Sequence, residues 1–525
     1  MKKIGIFLGF QPGSNLTTEG IGRLLAFILK ESKKDSITIF CPKWLRYSVE
    51  KLFEDNKISL DRFEIVSTQN VPFGVKVKNY LKERRTPKVQ FSKISHLVNK
   101  LKRKFIDFVR NIISNFFSTT SVWLLLIKTI LLVVSSVVLS PILVLSGIIW
   151  FIFSFLSFIG RRIRKTTPVN RIAKKLKQSI DIIKGSVYQL VIDNELNRVV
   201  GIINRRKDIR VCFIPSMIWP QIVNLNCKKV LAAPDIVFYD FPTQFIGVGE
   251  VHDRIRKSIA VADHLICYSE QVKNDHLVNK CGVDPSKVTV IKHANIDMYE
   301  HIKVSKSLQR YYSEKQNAKQ IINRYVTSTL STGHVLYNVD IENLDYVIYS
   351  SQFRPHKNIP NLIKSIRILN IDLQTNIKLI VTGDFRFDRE LVDFCRDNHL
   401  DNDIFIISNM SSELLAAFNC FAKVAVNPTL FEGGFPFTFS EAYSVGTPSV
   451  MSSIPAVIEE IEDVQLQRKM LFDPYDPYSI ATKIEWAFQN SEELFFCQSS
   501  LYQKFSKRNW EQVASEYNKV FNKLM

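Results

Sequence analysis

At 525 residues the chain exceeds what a single hydrophobic core organises, so two or more domains are expected. Its 46% apolar and 23% charged residues exclude a largely disordered chain, and eight scattered cysteines with no C-x-x-C pair argue for buried thiols in a reducing compartment over a disulfide framework or a zinc site. A net charge of +20 spread over the fold would suit a nucleic-acid binder, but residues 71–120 carry twelve Lys/Arg against two acids and residues 161–190 nine against one, so the basicity belongs to one segment.

The opening MKKIGIFLGF reads as a first β-strand. It runs into a polar, glycine-bearing turn (Gly13, Gly20, Gly22) with no small-residue cleavage site, so no secretory leader is expected. The helix GIGRLLAFILKES follows, and residues 1–70 form the first part of an N-terminal Rossmann-like domain. Residues 71–190 are an insertion. Within it Ile94, Leu97, Leu101, Phe105, Phe108, Ile112 and Phe116 recur every three or four residues among lysines and arginines, a basic amphipathic helix suited to anionic headgroups. The plainer alternative is a helix on the protein core with a solvated basic face. From Ser121 to Gly160 the only charge is Lys128. A bilayer core takes about 20 apolar helical residues, so this run holds two short arms divided at Ser140-Pro141, or one tilted span. Lys/Arg-rich flanks stay cytoplasmic and both flanks are basic, which favours a membrane hairpin that enters and leaves on the cytoplasmic side. The basic residues lack the interleaved aromatics of a single-strand platform, so no nucleic acid is expected.

Beyond the insertion, strands alternate with helices, the pattern of α/β domains. Residues 191–300 complete the N-terminal domain through RVCFIPS, KKVLAAPDIVF, HLICYS and KVTVI. Residues 301–343 read as a helical linker or insertion, and 344–505 as a second domain running through YVIYSS, IKLIVTGD, DIFIIS and KVAVNPT. Residues 506–525 are a C-terminal helix expected to pack back on the first domain. The fold class is therefore α/β, with two doubly wound domains facing a cleft and one inserted basic, transmembrane helical segment.

Ligands of such sheets lie beyond the carboxyl ends of the strands, so the residues just after each strand carry the candidate site. In SSQFRPHKN, Arg354 and Lys357 place two cations at a strand-to-helix turn, suited to a diphosphate. In VNPTLFEGGFPFTFSEAYSVGTPSV, Gly433 and Gly434 allow a tight turn and close backbone approach to a ligand. Glu432 and Glu441 flank them with carboxylates able to accept hydrogen bonds from sugar hydroxyls, and Gly446 closes the intervening helix. A solvated basic loop is the bland reading of the first segment alone.

Together these segments resemble the retaining GT-B glycosyltransferases of family 4 (glycosyl transferases group 1), whose hallmark P-S-x-x-E-G-F-G-x-x-x-x-E-A-x-x-x-G-x-P-V stands here as Pro428, Thr429, Glu432, Gly433, Gly434, Glu441, Ala442, Gly446, Pro448 and Val450. The likeness extends back through VTGD, RPHKN and DHLICYSEQVKNDHLVNKCGVDPSKVTVIKHANID. It covers residues 230–525 well, the first seventy loosely and the insertion not at all. Two features depart from the pattern: eight residues separate the glutamates where the family usually has seven, and Arg354 lies nearer the lysine than is common.

The resemblance implies two Rossmann-like domains and a retaining transfer from a nucleotide-diphosphate sugar, with mannosyl transfer from GDP-mannose among the family's habits. It implies that Glu441 holds the ribose, Arg354 and Lys357 the diphosphate, and Glu432, Gly433, Gly434 and Phe435 face the donor sugar. Gly20 would lie near the phosphates, and Asp235 near the reacting carbon, although a strand-end turn is an equally good account of that aspartate. No metal or other cofactor is implied. The expected partners are a nucleotide sugar, a lipid-linked or glycan acceptor and anionic membrane lipids, with the catalytic domains on the cytoplasmic side of the cell membrane. Two other readings stay open: a non-catalytic sugar-nucleotide-binding scaffold of a membrane glycan-assembly complex, and a GT-B epimerase or hydrolase.

Overall fold

The structure, a computed structural model, describes residues 3–17, 19–32, 36–83, 111, 114–138, 187–234, 236–245, 247–304 and 310–525. Its strands, in chain order, are β1 (Lys3–Phe7), β2 (Ile37–Cys41), β3 (Glu64–Ser67), β4 (Ile209–Ile214), β5 (Lys228–Ala232), β6 (His264–Cys267), β7 (Val288–Val290), β8 (Tyr346–Tyr349), β9 (Lys378–Val381), β10 (Ile404–Ile406), β11 (Val424–Asn427), β12 (Ser449–Ser452) and β13 (Leu471–Phe472). They form a seven-stranded sheet in the order β3-β2-β1-β4-β5-β6-β7 and a six-stranded sheet in the order β10-β9-β8-β11-β12-β13. Parallel pairing is seen in β1 with β2 (Ile4 opposite Ile37) and in β8 with β9 (Val347 opposite Leu379). Strands covered on both faces need apolar residues at every position, not alternate ones. ITIFC, HLIC, YVIY and VAVN are accordingly buried throughout.

By compactness the chain divides into two units, one of residues 1–19, 33–212 and 221–227, the other of residues 20–32, 213–220 and 228–525. In the first, Arg206 forks onto Glu64 (2.8 and 2.9 Å) and Asp208 (2.9 and 3.0 Å), holding both carboxyls below their usual range. The described parts of the basic insertion also belong to this unit. The rings of Phe73 and Phe117 stack at 6.3 Å, and Asn194, on the helical residues 187–204, donates to Ser114 Oγ at 2.9 Å. The first arm of the expected hairpin is a helix, Val122–Val138, of 17 residues. Among the described residues no helix is long and apolar enough to cross a membrane. The second arm and, apart from Phe116, the stripe of the expected amphipathic helix lie outside the described residues.

In the second unit, α1 (Gly20–Glu31) buries Leu24, Leu25, Ile28 and Leu29. Its Phe27 stacks on Trp510 at 4.4 Å, at the start of the C-terminal helix Trp510–Leu524, which a reciprocal Asn509–Gln512 cap begins. The segment read as a linker holds the helix Arg310–Thr329. Ala318, Ile322 and Val326 share one core with Ala416, Ala417 and Phe418 of the helix Ser412–Phe421, so this helix is a layer on the six-stranded sheet. That sheet reverses its strand order between β8 and β11, which makes the loops after those two strands neighbours. A crevice at such a reversal is where open α/β sheets bind ligands.

Candidate functional site

The loop after β8 is held by its neighbour. The Ser351 amide donates to Thr382 Oγ1 (2.8 Å) and that hydroxyl donates to the Ser351 carbonyl (2.9 Å). Gly383, next in chain, has no room for a side chain: an added methyl would lie 2.9 Å from both the Phe353 nitrogen and the Ser351 oxygen. One turn on, Asn358 adopts φ +57° and opens the helix Ile359–Arg367. Its buried amide donates to the carbonyls of Pro428 (2.9 Å) and Pro474 (2.7 Å). The Leu430 amide reaches back to the His356 carbonyl at 2.8 Å. These bonds stitch the loops after β8 and β11 edge to edge.

Stitching sets Lys357 against Glu432, Nζ to Oε1 2.5 Å, with the side chains 19% and 21% exposed. Arg354 is exposed, and its Nη2 and Nε donate to Gln352 Oε1 at 2.7 and 3.1 Å. Between the two cations His356 is buried; burial, with the neighbouring Lys357 and Arg354 charges, brings its pKa down to about 3, so it is neutral at pH 7. Arg354, Lys357 and Glu432 thus share one loop pair, with a cation–carboxylate couple at its centre. Cations so placed can take up a diphosphate, and carboxylates beside a closely approached backbone can accept from hydroxyls.

Gly434 serves close approach and not a left-handed turn. Neither Gly433 nor Gly434 is among the glycines with positive φ. A methyl on Gly434 would meet Tyr268 Cβ at 3.0 Å and its carbonyl at 3.2 Å, while Ser269 Oγ donates to the Gly433 carbonyl at 2.9 Å. Gly446, at φ +95°, does end the helix region as its position suggests. Phe435 turns its ring toward Phe439 (5.5 Å) and Phe505 (4.7 Å).

Glu441 lies on the helix Phe437–Tyr443 and is 2% exposed. Its Oε1 accepts from Nη2 of Arg23, in the first turn of α1. Gly20 heads that helix, and an added methyl there would find nothing within 4 Å. Asp235 lies outside the described residues.

Sequence reasoning passed over Arg23, Tyr268, Ser269 and His276. The signal for Arg23 was a cation just inside the helix that follows a glycine turn; Tyr268 and Ser269 sit directly after β6. His276 is fully buried, stacks on Phe431 at 5.0 Å, and has Nε2 2.9 Å from Asp240 Oδ2. Asp240, Asp275 and His276 form a cluster with metal-ligand spacing. Lys280 reaches Asp240 at 2.6 Å and Asp275 at 2.7 Å, so an ammonium already supplies the positive charge. Burial pushes the Asp240 carboxyl up, and its bonds to His276 and Lys280 outweigh this and hold it below its usual range.

Residues 339–508 match the family model described as Glycosyl transferases group 1. Among curated proteins no sequence match is found. Solved structures with a like fold include HepE from Anabaena in complex with UDP-glucose, with a TM-score of 0.54, 11% identity and 100% of each chain covered. The N-terminal domain of trehalose-6-phosphate phosphatase from Candida albicans gives 0.52 at 11% identity, covering 99% of this chain and 96% of its own. A glycosyltransferase from Rickettsia africae gives 0.51 at 9%, covering 100% and 98%. At these identities the likeness is one of fold, an α/β chain of two parallel sheets of the GT-B kind.

Proposed function

We propose that the chain is a retaining glycosyltransferase of family 4 type that moves a hexose from a nucleotide-diphosphate sugar to a lipid-linked or glycan acceptor at the cytoplasmic face of the cell membrane. The observation that carries this reading is the Lys357–Glu432 couple at the strand-order reversal of a glycosyl transferases group 1 domain. Glycosyl transfer builds an oxocarbenium-like centre while a diphosphate departs, so the dominant requirement is stabilisation of negative charge on the leaving group. Lys357 exchanges Glu432 for the diphosphate, Arg354 joins it from the same loop, and no divalent metal is needed for that task. Glu432 is then free to accept from the donor sugar, with Gly433 and Gly434 giving the backbone close access. Glu441 accepts from the ribose hydroxyls. With no enzyme nucleophile in the scheme, the leaving phosphate takes the proton from the acceptor hydroxyl on the face it vacates.

The membrane part of the proposal rests on the insertion. In the helix Val122–Val138, Val122, Trp123, Leu124, Leu126, Ile127, Ile130 and Leu131 are all exposed, while Lys128 folds back onto the Asn115 carbonyl at 2.8 Å. Contiguous exposed apolar surface of this kind marks an interaction site, and the flanking basic segments suit anionic headgroups. Membranes containing the protein would be incubated with UDP- and GDP-sugars and extracted lipid-linked acceptors, beside Lys357→Ala and Glu441→Ala. Labelled lipid product from one donor, lost in both variants, is expected. Nucleotide release with no glycosylated product would mark a hydrolase, and saturable binding with no turnover would mark a scaffold. Removing residues 119–160 should lower activity on lipid acceptors far more than on short soluble ones; equal losses would refute the membrane role.

A further inference from the structure

We propose that Arg23 is a positioning residue of the nucleotide site, holding the Glu441 carboxylate in one orientation so that it can take the ribose hydroxyls of a nucleoside diphosphate. The proposal rests on the reading of Glu441 as the ribose-binding carboxylate and adds a residue from the far end of the chain. Glu441 is 2% exposed, and a carboxylate so removed from water is costly unless a cation and hydrogen bonds face it. That cation is Arg23, 418 residues away in sequence, whose Nη2 donates to Glu441 Oε1.

The helix carrying Glu441 is pinned independently. The Ile296 amide donates to Ser440 Oγ at 3.0 Å and the Met298 amide to Ser444 Oγ at 2.9 Å. The backbone around Glu441 is therefore fixed by the chain at 296–298 and its side chain by Arg23. An ionised carboxylate offers up to about four acceptor sites, so one guanidinium bond leaves capacity for a vicinal diol, whose two hydroxyls donate. Without Arg23 the buried carboxylate has lost the partner that fixes its orientation, and rotation would spoil it as a double acceptor. Arg23 thus acts through Glu441, while Lys357 and Arg354 act on the phosphates.

The test uses the detergent-solubilised full-length chain and calorimetric binding of UDP or GDP, whichever binds more tightly, against its 2′,3′-dideoxy counterpart. The wild type is expected to prefer the ribonucleotide by about tenfold or more, the size of one to two hydrogen bonds to a charged group. Arg23→Ala should shrink this preference to within about threefold while leaving dideoxynucleotide affinity unchanged, and Arg23→Lys should restore most of it. Equal weakening of both ligands in Arg23→Ala would overturn the proposal by making Arg23 a phosphate ligand or a fold element, as would an unchanged preference. If Glu441→Gln keeps the wild-type preference, the ribose reading itself fails. If Glu441→Gln loses it and Arg23→Ala does not, only the role of Arg23 fails.

Discussion

Replacing Gly383 by alanine should damage both the stability of the C-terminal sheet and nucleotide binding, although Gly383 carries no chemistry. The added methyl would lie 2.7 Å from Ile359 Cδ1 and 2.9 Å from both the Phe353 nitrogen and the Ser351 oxygen. Carbon contacts are comfortable at about 3.5–4.0 Å. The isoleucine tip can rotate away, but the other two atoms are backbone, so the loop after β8 must retreat by roughly 0.5–1 Å. Overpacking of this kind costs about 1–3 kcal/mol. At 2–4 °C per kcal/mol for a domain of this size, about 2 kcal/mol lowers Tm by roughly 4–8 °C. The retreat also strains the Ser351–Thr382 bonds and displaces the loop bearing Arg354, so nucleotide affinity should fall at least about tenfold, as expected for losing a charge-assisted contact. Scanning calorimetry and nucleotide titration measure the two effects, with Gly249→Ala as the control. Gly249 lies in the helix Val248–Val261 with nothing within 4 Å of an added methyl, and alanine there should be neutral or slightly stabilising. A Gly383→Ala protein with wild-type Tm and wild-type affinity would refute the reasoning.

The Lys357–Glu432 couple should show in a double-mutant cycle: Lys357→Ala and Glu432→Ala each destabilise, and the coupling between them, read by denaturant titration, should be about 1–2 kcal/mol for a pair only one-fifth exposed. Coupling below about 0.3 kcal/mol would mean that the pair is solvated like a surface bridge. Asn358→Ala should cost about 3 kcal/mol, from two buried carbonyls left without their donor and a methyl side chain held at φ +57°. Asn358→Gly removes only the backbone part and should regain about 1 kcal/mol on thermal melting. His356 titrates at about 3 when folded and about 6.5 when unfolded, so only the unfolded chain takes up the proton as pH falls between those values. Stability is then full above about pH 6.5 and drops by about 2 kcal/mol from pH 7 to pH 5 through this one group. His356→Gln should flatten the curve by that amount, and an unchanged slope would show that the ring protonates in place.

The local chemistry of the site was readable because it sits in single stretches of chain. Arg354 and Lys357 share one loop, Glu432 and the two glycines another, and each loop follows a strand whose uninterrupted apolar run announces it. The helix Arg310–Thr329 was harder to place, because a polar sequence whose buried apolar side chains, among the described residues, are Ala318, Ile322 and Val326 looks like a connector until the helix Ser412–Phe421 is seen against it. The glycine pair was read for its turn as well as for its closeness. Only the position of Tyr268 shows that closeness is the constraint at Gly434.

Burial on both faces of a parallel sheet dictates strand composition, so the sequence by itself determined where most of the strands lie, which residues follow them, and the Glu-Gly-Gly string within the stretch that matches the glycosyl transferases group 1 family. Strand order is set by non-local pairing, which leaves no local trace. Only the tertiary structure therefore made the loops after β8 and β11 neighbours, turned Lys357 onto Glu432, and brought Arg23 across 418 residues to the buried carboxylate of Glu441. A carboxylate reads the same in sequence whether water or a guanidinium faces it, and the folded chain alone chooses between them.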